Sequence, residues 1–515
     1  MPILESQFSM PAVPEHTITQ HVLRHVETLG AKAAFIDGTS GRTVTYADLA
    51  DQIRALAGGL QARGIGPGTT WALMAPNIPE YAIVFHALAY CGATVTTLNP
   101  TYGAEEIAFQ LKDSGAQAIV TVGMFLETAR TAADIAGIDQ VVLLGPGDGT
   151  PITEFFGQPL TKQVPVDLRR HVVVLPYSSG TTGFPKGVML SHYNLVANVE
   201  QLAGHLPLAS DEIAYAVLPF FHIYGMQVLM NFMLARGCSV VTVPRFDLPQ
   251  MLQLVQDYKI TRLFLVPPIV LALAKHPVVD QYDCSSVKQL FSGAAPLGAE
   301  VAEAAASRLG CNIAQGYGMT ELSPVSHAIP EDDYRAGSVG TLIAGTEARL
   351  IDPETGADAE EGERGEIWVR GPQVMLGYLN NTEATRHTID AEGWLHTGDI
   401  AYVDSDGHTF IVDRMKELIK YKGFQVPPAE LEALLLTHAE VADAAVIGVP
   451  DEEAGELPKA FIVRTSGSAI DADALQAFVA GHVASYKQIR IVEFIDAIPK
   501  SASGKILRRE LRSRD

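Results

Sequence analysis

Residues 177–188 (YSSGTTGFPKGV) concentrate side chains that could bind a phosphate group. The segment holds four Ser or Thr hydroxyls, three glycines and Lys186 within twelve residues. Glycines let backbone N–H groups approach an anion, hydroxyls add donors, and a lysine supplies positive charge. Because Lys186 is followed by Gly187 rather than Ser or Thr, this is not a Walker-type loop. An isolated glycine-rich loop fits a surface linker equally well. The neighbouring segments must therefore distinguish a phosphate site from a linker.

Four further segments carry groups that could act with it. Residues 219–225 (PFFHIYG) surround His222, which fits either an ordinary buried histidine or the wall of a flat apolar pocket. Residues 315–321 (QGYGMTE) combine glycines, a tyrosine face for a base and oxygen ligands suited to magnesium. Residues 393–399 (GWLHTGD) end in a carboxylate that could accept ribose hydroxyls. Residues 499–505 (PKSASGK) carry a lysine on a loop that, alone, is typical of a solvated tail.

Patterns between these segments indicate an α/β architecture. A helix that Thr45 can cap is followed by a strand-like run at 70–74 and a helical run at 82–90. A second alternating stretch contains strand candidates at 262–266 and 289–291. This alternation predicts two mainly parallel α/β subdomains, with sheets covered by helices.

Shorter strands dominate after about Gly337, where Gly, Pro and Asp turns separate them. The DSDG turn at residues 404–407 predicts a hairpin. Helical and strand-like runs then alternate to the end of the chain. These patterns predict a small β subdomain followed by a separate, small α+β domain.

Length, charge and cysteine content limit the class of protein. A chain of 515 residues exceeds what one core supports. The net charge of −22 opposes binding to nucleic acid or to an anionic membrane surface. The four cysteines are far apart, without metal-ligand spacing. With no signal-peptide pattern and no apolar run long enough to span a bilayer, the sequence predicts a cytoplasmic enzyme.

The order and spacing of the segments identify a family resemblance. YSSGTTGFPKG, QGYGMTE, GWLHTGD and PKSASGK resemble the motifs of acyl-adenylate-forming enzymes, which include acyl-CoA synthetases, luciferases and peptide-synthetase adenylation domains. The resemblance covers nearly the whole chain. LPFFHIYG, SGAAPLG and VDRMKELIKYKGFQVPPAELE are most similar to 4-coumarate:CoA ligases and their bacterial cinnamate-activating relatives.

The resemblance implies a ligase that uses ATP, Mg²⁺ and CoA. A carboxylate attacks the α-phosphate of ATP to give an acyl-AMP and pyrophosphate, and the CoA thiol then displaces AMP. Lys505 matches the lysine that bridges the carboxylate and the α-phosphate. Tyr317 is expected to stack on adenine, and Asp399 and Arg414 to contact the ribose. Thr320 and Glu321 match the magnesium position. The remaining matches to nucleotide contacts are Ser178, Ser179, Gly180, Thr181, Thr182, Gly183, Lys186, Gln315, Gly316, Gly318 and Met319.

A two-domain organisation also follows from the resemblance. An N-terminal adenylate-forming domain is expected over residues 1–413, and a small mobile domain over residues 414–515 is expected to rotate about a hinge at Lys416. The rotation withdraws Lys505 and brings in the KYKGFQ segment. Lys420 and Gln425 then support thioester formation, while Lys422 and Gly423 lie along CoA.

The resemblance places the acyl pocket around the PFFHIYG segment. His222 matches a catalytic position and, with Tyr224, a wall of the pocket. The other matching wall positions are Ser292, Gly293, Ala294, Gly316, Pro324 and Val325. Small residues there leave room for a planar ring. No aspartate follows Leu218 before Leu229, which disfavours amino acids. The insertion that fatty-acyl-AMP ligases carry before the hinge is also missing, which favours CoA as the thiol acceptor.

The identity of the acid stays open between alternatives. Cinnamate or 4-coumarate fits an aromatic slot. Residues 225–228 (GMQV) are more apolar than the corresponding plant residues, which favours cinnamate over hydroxylated rings and would also suit a medium-chain fatty acid. Loading of a carrier protein and, more distantly, luciferase-like oxygenation are further alternatives. The expected partners are the acid, ATP and CoA, and the expected state is a monomer or weak homodimer.

Overall fold

Two nine-stranded sheets form the larger part of the protein. The computed structural model describes residues 3–178, 185–360, 362–451, 453–502 and 504–514. In the first α/β sheet the central strands are parallel, and antiparallel pairs close one edge. Its order is Tyr177–Ser178, Lys186–Ser191, Val172–Leu175, Thr94–Thr97, Thr70–Met74, Ala118–Val122, Gln140–Leu144 and Thr150–Pro151, with Gly377–Tyr378 paired to Lys186–Ser191.

The second α/β sheet has a similar plan. Its order is Thr341–Leu342, Val325–Ala328, Asn312–Gly318, Gln289–Ser292, Arg262–Leu265, Ile213–Ala216, Ser239–Thr242, Ala33–Asp37 and Thr43–Thr45. The strands from Asn312–Gly318 to Ala33–Asp37 are parallel. Because parallel strands end at the same edge of a sheet, Ser292 and Gly318 lie at the same edge.

Two smaller sheets follow. The small β sheet is antiparallel, in the order Leu4–Glu5, Glu347–Ile351, Gly365–Arg370, Leu395–Val403 and Thr409–Arg414. The predicted hairpin is confirmed, because residues 404–407 join the last two strands. The C-terminal sheet has the order Phe424–Val426, Ile419–Tyr421, Gly455–Arg464 and Val441–Asp451, with Ile491–Phe494 paired to Gly455–Arg464.

Helices connect the parallel strands. Thr45 and Ser191 each cap a helix, as predicted, by accepting the N–H of the residue three positions on. The α-helices are Ile18–Val22, Val26–Leu29, Tyr46–Ala62, Pro79–Tyr90, Ala104–Ser114, Leu126–Ala136, His192–Leu202, Met233–Ala235, Leu248–Tyr258, Pro267–Lys275, Ala299–Leu309, Thr382–Thr388, Pro428–Thr437, Ala472–Ala480 and Arg508–Arg512. Short 3₁₀ turns lie at Leu23–His25, Gly123–Phe125, Ile152–Phe155, Pro277–Gln281, Thr320–Leu322 and Ser485–Lys487, and Gly225–Phe232 is a π-helix.

One apolar core joins the two large sheets, and the C-terminal sheet has cores of its own. Buried side chains from both large sheets, such as Val95 and Leu290, belong to one contiguous cluster. Val446 and Phe461 lie in separate clusters of the C-terminal sheet. The predicted α/β class, with a large N-terminal unit and a smaller C-terminal one, is confirmed. In the described part of the chain, no helix is long and apolar enough to cross a membrane.

Candidate active site

The predicted phosphate-binding segment, residues 177–188, starts and ends in a hairpin at the edge of the first α/β sheet. Ser178 lies directly opposite Lys186 in this antiparallel pair. The Lys186 ammonium lies 4.7 Å from the centroid of the Tyr378 ring. Five predicted nucleotide contacts fall outside the described residues: Ser179, Gly180, Thr181, Thr182 and Gly183. The hairpin thus brings together the first hydroxyl and the lysine of the segment.

Glu321, predicted as the magnesium ligand, is buried beside this hairpin. Its Oε1 accepts hydrogen bonds from Ser178 Oγ at 2.9 Å and from Tyr378 OH at 2.8 Å. No hydrogen bond from a described residue reaches Oε2. Sequence reasoning missed Tyr378, because a tyrosine distant from every motif carries no spacing signal.

Asp399, Tyr317 and Arg414 form a second polar cluster. Tyr317 OH donates to Asp399 Oδ2 at 2.5 Å, and Arg414 Nε lies 3.6 Å from Asp399 Oδ1. Asp399 and Arg414 are cross-strand partners in the small β sheet. Burial raises the pKa of Asp399, and the Arg414 charge followed by the Tyr317 hydroxyl opposes that rise. The residues predicted for ribose and adenine therefore lie in direct contact.

The rest of the QGYGMTE segment supports this cluster from the end of the strand Asn312–Gly318. A Cβ added at Gly318 would lie 2.0 Å from the carbonyl oxygen of Pro324, so only glycine fits there. Met319 N–H donates to the same oxygen at 2.9 Å. The Nε2 of Gln315 is buried with no hydrogen-bond partner among the described residues, and it could donate to a bound base.

Lys505 lies on a closed turn that packs against the second α/β sheet. The Ser501 N–H donates to the Lys505 carbonyl at 2.8 Å, and the Lys505 N–H donates to Ser501 Oγ at 3.2 Å. A Cβ added at Gly504 would lie 3.2 Å from the Cβ of Val266. The loop therefore makes close contact with the large domain through a residue that lacks a side chain.

The Lys505 ammonium interacts with charged groups of the site. Burial, followed by the Arg414 charge, lowers the pKa of Lys505 to about 8, although Asp399 and Glu321 act in the opposite direction. Burial, together with the Lys505 charge, lowers the pKa of His222 to about 3, so this imidazole is neutral at physiological pH. The Lys505 charge thus acts on the predicted ribose, magnesium and acyl-pocket residues.

The predicted acyl pocket contains two aromatic rings that lie against glycines. A Cβ added at Gly293 would lie 3.1 Å from the ring of Tyr224, and one added at Gly316 would lie 2.5 Å from Cζ of Phe291. The hydroxyl of Tyr224 is buried without a partner among the described residues. Phe291 was not predicted, since nothing in its strand distinguishes it from a core residue. The other predicted wall residues are buried or half-buried: His222, Ser292, Ala294, Pro324 and Val325.

The KYKGFQ segment lies away from this cluster. Its predicted functional residues, Lys420, Lys422, Gly423 and Gln425, are exposed. The predicted hinge, Lys416, is also exposed and lies in the turn that connects the small β sheet to the C-terminal sheet. The structure therefore brings one of the two predicted catalytic loops to the site and leaves the other in solvent.

The Glu321 carboxylate fits a magnesium ion that arrives with a nucleotide. Among the described residues, no group of three or more His, Cys, Asp or Glu side chains could hold a metal ion. Magnesium at nucleotide sites needs only one or two carboxylates, because phosphates and water supply its other ligands. Glu321 meets this need, since two hydroxyls hold Oε1 and leave Oε2 for a metal, with Thr320 next to it.

Comparisons with known proteins agree with this geometry. The family model for the AMP-binding enzyme matches residues 22–379, and the model for its C-terminal domain matches residues 430–505. The chain is 44% identical to 4-coumarate–CoA ligase 1 of Petroselinum crispum over 98% of this chain and 95% of that protein. It is 42% identical to 4-coumarate–CoA ligase 5 of Oryza sativa subsp. japonica over 99% of this chain and 97% of that protein.

Solved structures of similar fold cover the same length. The anthranilate CoA ligase AuaEII in complex with anthranoyl-AMP gives a TM-score of 0.90 at 27% identity, covering 97% of each chain. ATP-bound MatB from Rhodopseudomonas palustris gives 0.88 at 29% identity, covering 97% of this chain and 98% of that one. The resemblance drawn from the motifs is confirmed. The chain belongs to the AMP-binding enzyme family, as a ligase that uses ATP, Mg²⁺ and CoA to activate a carboxylic acid as its AMP ester and transfer it to CoA.

Proposed function

We propose that the acid is an arylpropenoate, cinnamate or 4-coumarate. The observation that carries this proposal is the contact of the Tyr224 ring with Gly293, where a Cβ would approach the ring to 3.1 Å. A flat ring can lie beside another at such a surface, and stacked aromatic pairs add about 0.5–1.5 kcal/mol beyond burial. The names of the plant relatives point to the same substrate class.

In the first step, a carboxylate oxygen of the acid bonds to the α-phosphorus while the bond to the β-phosphate oxygen breaks. We assign Lys505 to hold the carboxylate and the α-phosphate together. Asp399 would accept the ribose hydroxyls, with Arg414 holding its charge, and Lys186 would neutralise the departing pyrophosphate. These charges are placed before reaction, which is how an enzyme stabilises a charged transition state most effectively. His222 would line the site as a neutral imidazole.

Glu321 and Thr320 would hold the magnesium ion. When bound, the ion neutralises phosphate charge that the acidic chain, with a net charge of −22, would otherwise repel. The nucleotide segment, including its members outside the described residues, would supply hydroxyl and backbone donors to the same phosphates.

In the second step, the sulfur of CoA bonds to the acyl carbon and AMP leaves. We propose that residues 414–515 rotate as one domain about Lys416, because the residues assigned to this step are exposed and need a movement to reach the adenylate. Lys420 and Gln425 would then support the thioester step, and Lys422 and Gly423 would contact CoA. Such domain movements occur on the microsecond to millisecond scale.

A cytoplasmic location and a monomeric or weakly dimeric state complete the proposal. The four cysteines are free thiols, which is typical of proteins from reducing compartments. The acidic surface favours neither nucleic acid nor anionic membranes as partners.

The test is thioester formation with CoA and ATP across cinnamate, 4-coumarate, caffeate, benzoate, hexanoate and octanoate. An advantage in kcat/KM of about a hundredfold for the arylpropenoates, about 2.7 kcal/mol, is expected. If straight-chain acids are preferred, the acid assignment is wrong although the ligase chemistry stands. Turnover with a carrier protein but not with free CoA would contradict the acceptor.

A further inference from the structure

We propose that Tyr378 is a positioning residue of the triphosphate site, which holds the Glu321 carboxylate with its hydroxyl and the Lys186 ammonium with its ring. The inference rests on the proposed nucleotide roles of Glu321 and Lys186. Tyr378 itself lies outside every motif noted in the sequence and is given no role by them.

The backbone fixes Tyr378 beside the lysine strand. Gly377–Tyr378 pairs antiparallel with Lys186–Ser191, and Tyr378 lies opposite Val188. The Tyr378 N–H donates to Thr385 Oγ1 at 2.9 Å, and the next residue, Leu379, donates its N–H to the carbonyl of Gly187 at 2.8 Å. The backbone of Tyr378 therefore cannot shift relative to that of Lys186 without breaking paired strands.

The hydroxyl of Tyr378 holds one oxygen of Glu321 in a dry environment. Tyr378 is 6% exposed and Glu321 5%, and the hydrogen bond between them measures 2.8 Å. A hydrogen bond to an ionised carboxylate is roughly twice as strong as a neutral one. A phenol has an ordinary pKa of about 10, so its hydroxyl is a donor at physiological pH.

Ser178 donates to the same oxygen of Glu321, but the two donors should behave differently when a nucleotide binds. Ser178 belongs to the phosphate-binding segment, and its hydroxyl is expected to turn toward a bound nucleotide. Tyr378 then remains the donor to Glu321 Oε1. The second oxygen, Oε2, would then stay available to a magnesium ion while the rest of the site rearranges.

The ring face of Tyr378 restrains the lysine. The Lys186 ammonium lies 4.7 Å from the ring centroid, within the range of about 6 Å for a cation–π contact. A lysine stem has four flexible carbons, so a fixed aromatic face limits where its charge can lie. One side chain thus orients both the cation and the carboxylate of the triphosphate site.

The test is equilibrium binding of ATP by calorimetry, with MgCl₂ and with EDTA, for the wild type and Tyr378→Phe. The substitution keeps the ring and removes only the hydroxyl. We expect the Kd for ATP with magnesium to rise about tenfold, and the Kd in EDTA to change by less than about twofold because Lys186 keeps its aromatic face. Tyr378→Leu should weaken binding in both conditions.

Tyr81→Phe is the matched control, because the Tyr81 hydroxyl is fully buried without a partner among the described residues. Its ATP binding should equal that of the wild type, and thermal unfolding of the two Phe variants should agree within a few degrees. Equal binding by Tyr378→Phe and wild type, or an equal loss with and without magnesium, would overturn the inference. A wild type that binds no ATP would instead contradict the proposed function.

Discussion

Replacing Lys505 by alanine should separate the two half-reactions of the enzyme. The Lys505 ammonium interacts with the charges of both Asp399 and Glu321, which raise its pKa against the effect of burial. Removing one preorganised charge of this kind costs about 2.7–4 kcal/mol, or a factor of roughly 10² to 10³ in rate. Adenylate formation should fall by that factor. Thioester formation from supplied acyl-AMP should fall by less than about twofold, because Lys505 is expected to have left the site.

The assay measures pyrophosphate release from acid and ATP, and separately the thioester formed from synthetic acyl-AMP and CoA. Arg509→Ala is a suitable control, since Arg509 is exposed four residues beyond Lys505 and its loss also removes one positive charge. This control should leave both rates near those of the wild type. A Lys505→Ala enzyme that loses both half-reactions equally, or neither, would refute the assigned role.

The same lysine predicts the alkaline limb of the pH profile. Its pKa is lowered to about 8 from the usual value near 10.4, so the ammonium is lost as the pH rises through that value. The kcat/KM for adenylation, which reports the free enzyme, should therefore decline above about pH 8. Lys505→Arg should retain its charge there, because a guanidinium does not deprotonate in this range, and its residual activity should show no such decline. A wild-type limb that appears only near pH 10 would show that burial does not affect this amine.

Three further substitutions test other parts of the structure. Asp399→Asn removes the charge that Tyr317 and Arg414 contact, and it should raise the Kd for ATP at least tenfold with little change in the KM for the acid. Gly293→Ala would place a Cβ 3.1 Å from the Tyr224 ring, and it should lower kcat/KM for cinnamate about tenfold while the KM for ATP stays constant. Arg262→Ala would remove the 3.0 Å ion pair with Glu212, in which each side chain is 3% exposed, and leave that buried carboxylate with the half-exposed Lys288 at 3.3 Å. Urea unfolding should show a loss of about 3 kcal/mol, and an unchanged midpoint would contradict the buried-pair argument.

The elements and much of the site could be predicted from the sequence, because the signals were local. Thr45 and Ser191 each precede an apolar helix pattern by one residue, so both helix starts were predictable. Asp399 and Arg414 lie on strands joined by a short turn, and proximity in sequence gave proximity in space.

Two residues of the candidate site could not be predicted from the sequence, because their contacts are long-range. Tyr378 and Glu321 are 57 residues apart, and their hydrogen bond depends on the pairing of Gly377–Tyr378 with a strand far earlier in the chain. In the sequence, Phe291 cannot be distinguished from an ordinary core residue of its strand. In the structure, its ring lies 2.5 Å from where a Gly316 Cβ would be. Neither contact leaves a periodic pattern or a spacing from which it could be inferred.

The C-terminal sheet bears on whether the two proposed catalytic loops can occupy the site together. Lys420 lies on the strand Ile419–Tyr421, which pairs with Gly455–Arg464. The strand Ile491–Phe494, which precedes Lys505 in the chain, also pairs with Gly455–Arg464. Both loops are therefore attached to one sheet with its own buried core, and local flexing cannot exchange them. Lys505 is half-buried against the large domain while Lys420 is exposed, so the proposed exchange would need the whole sheet to turn. The short connection between Arg414 and Ile419 is the proposed hinge for that turn. Lys416→Pro, which fixes φ there, should therefore slow thioester formation while sparing pyrophosphate release.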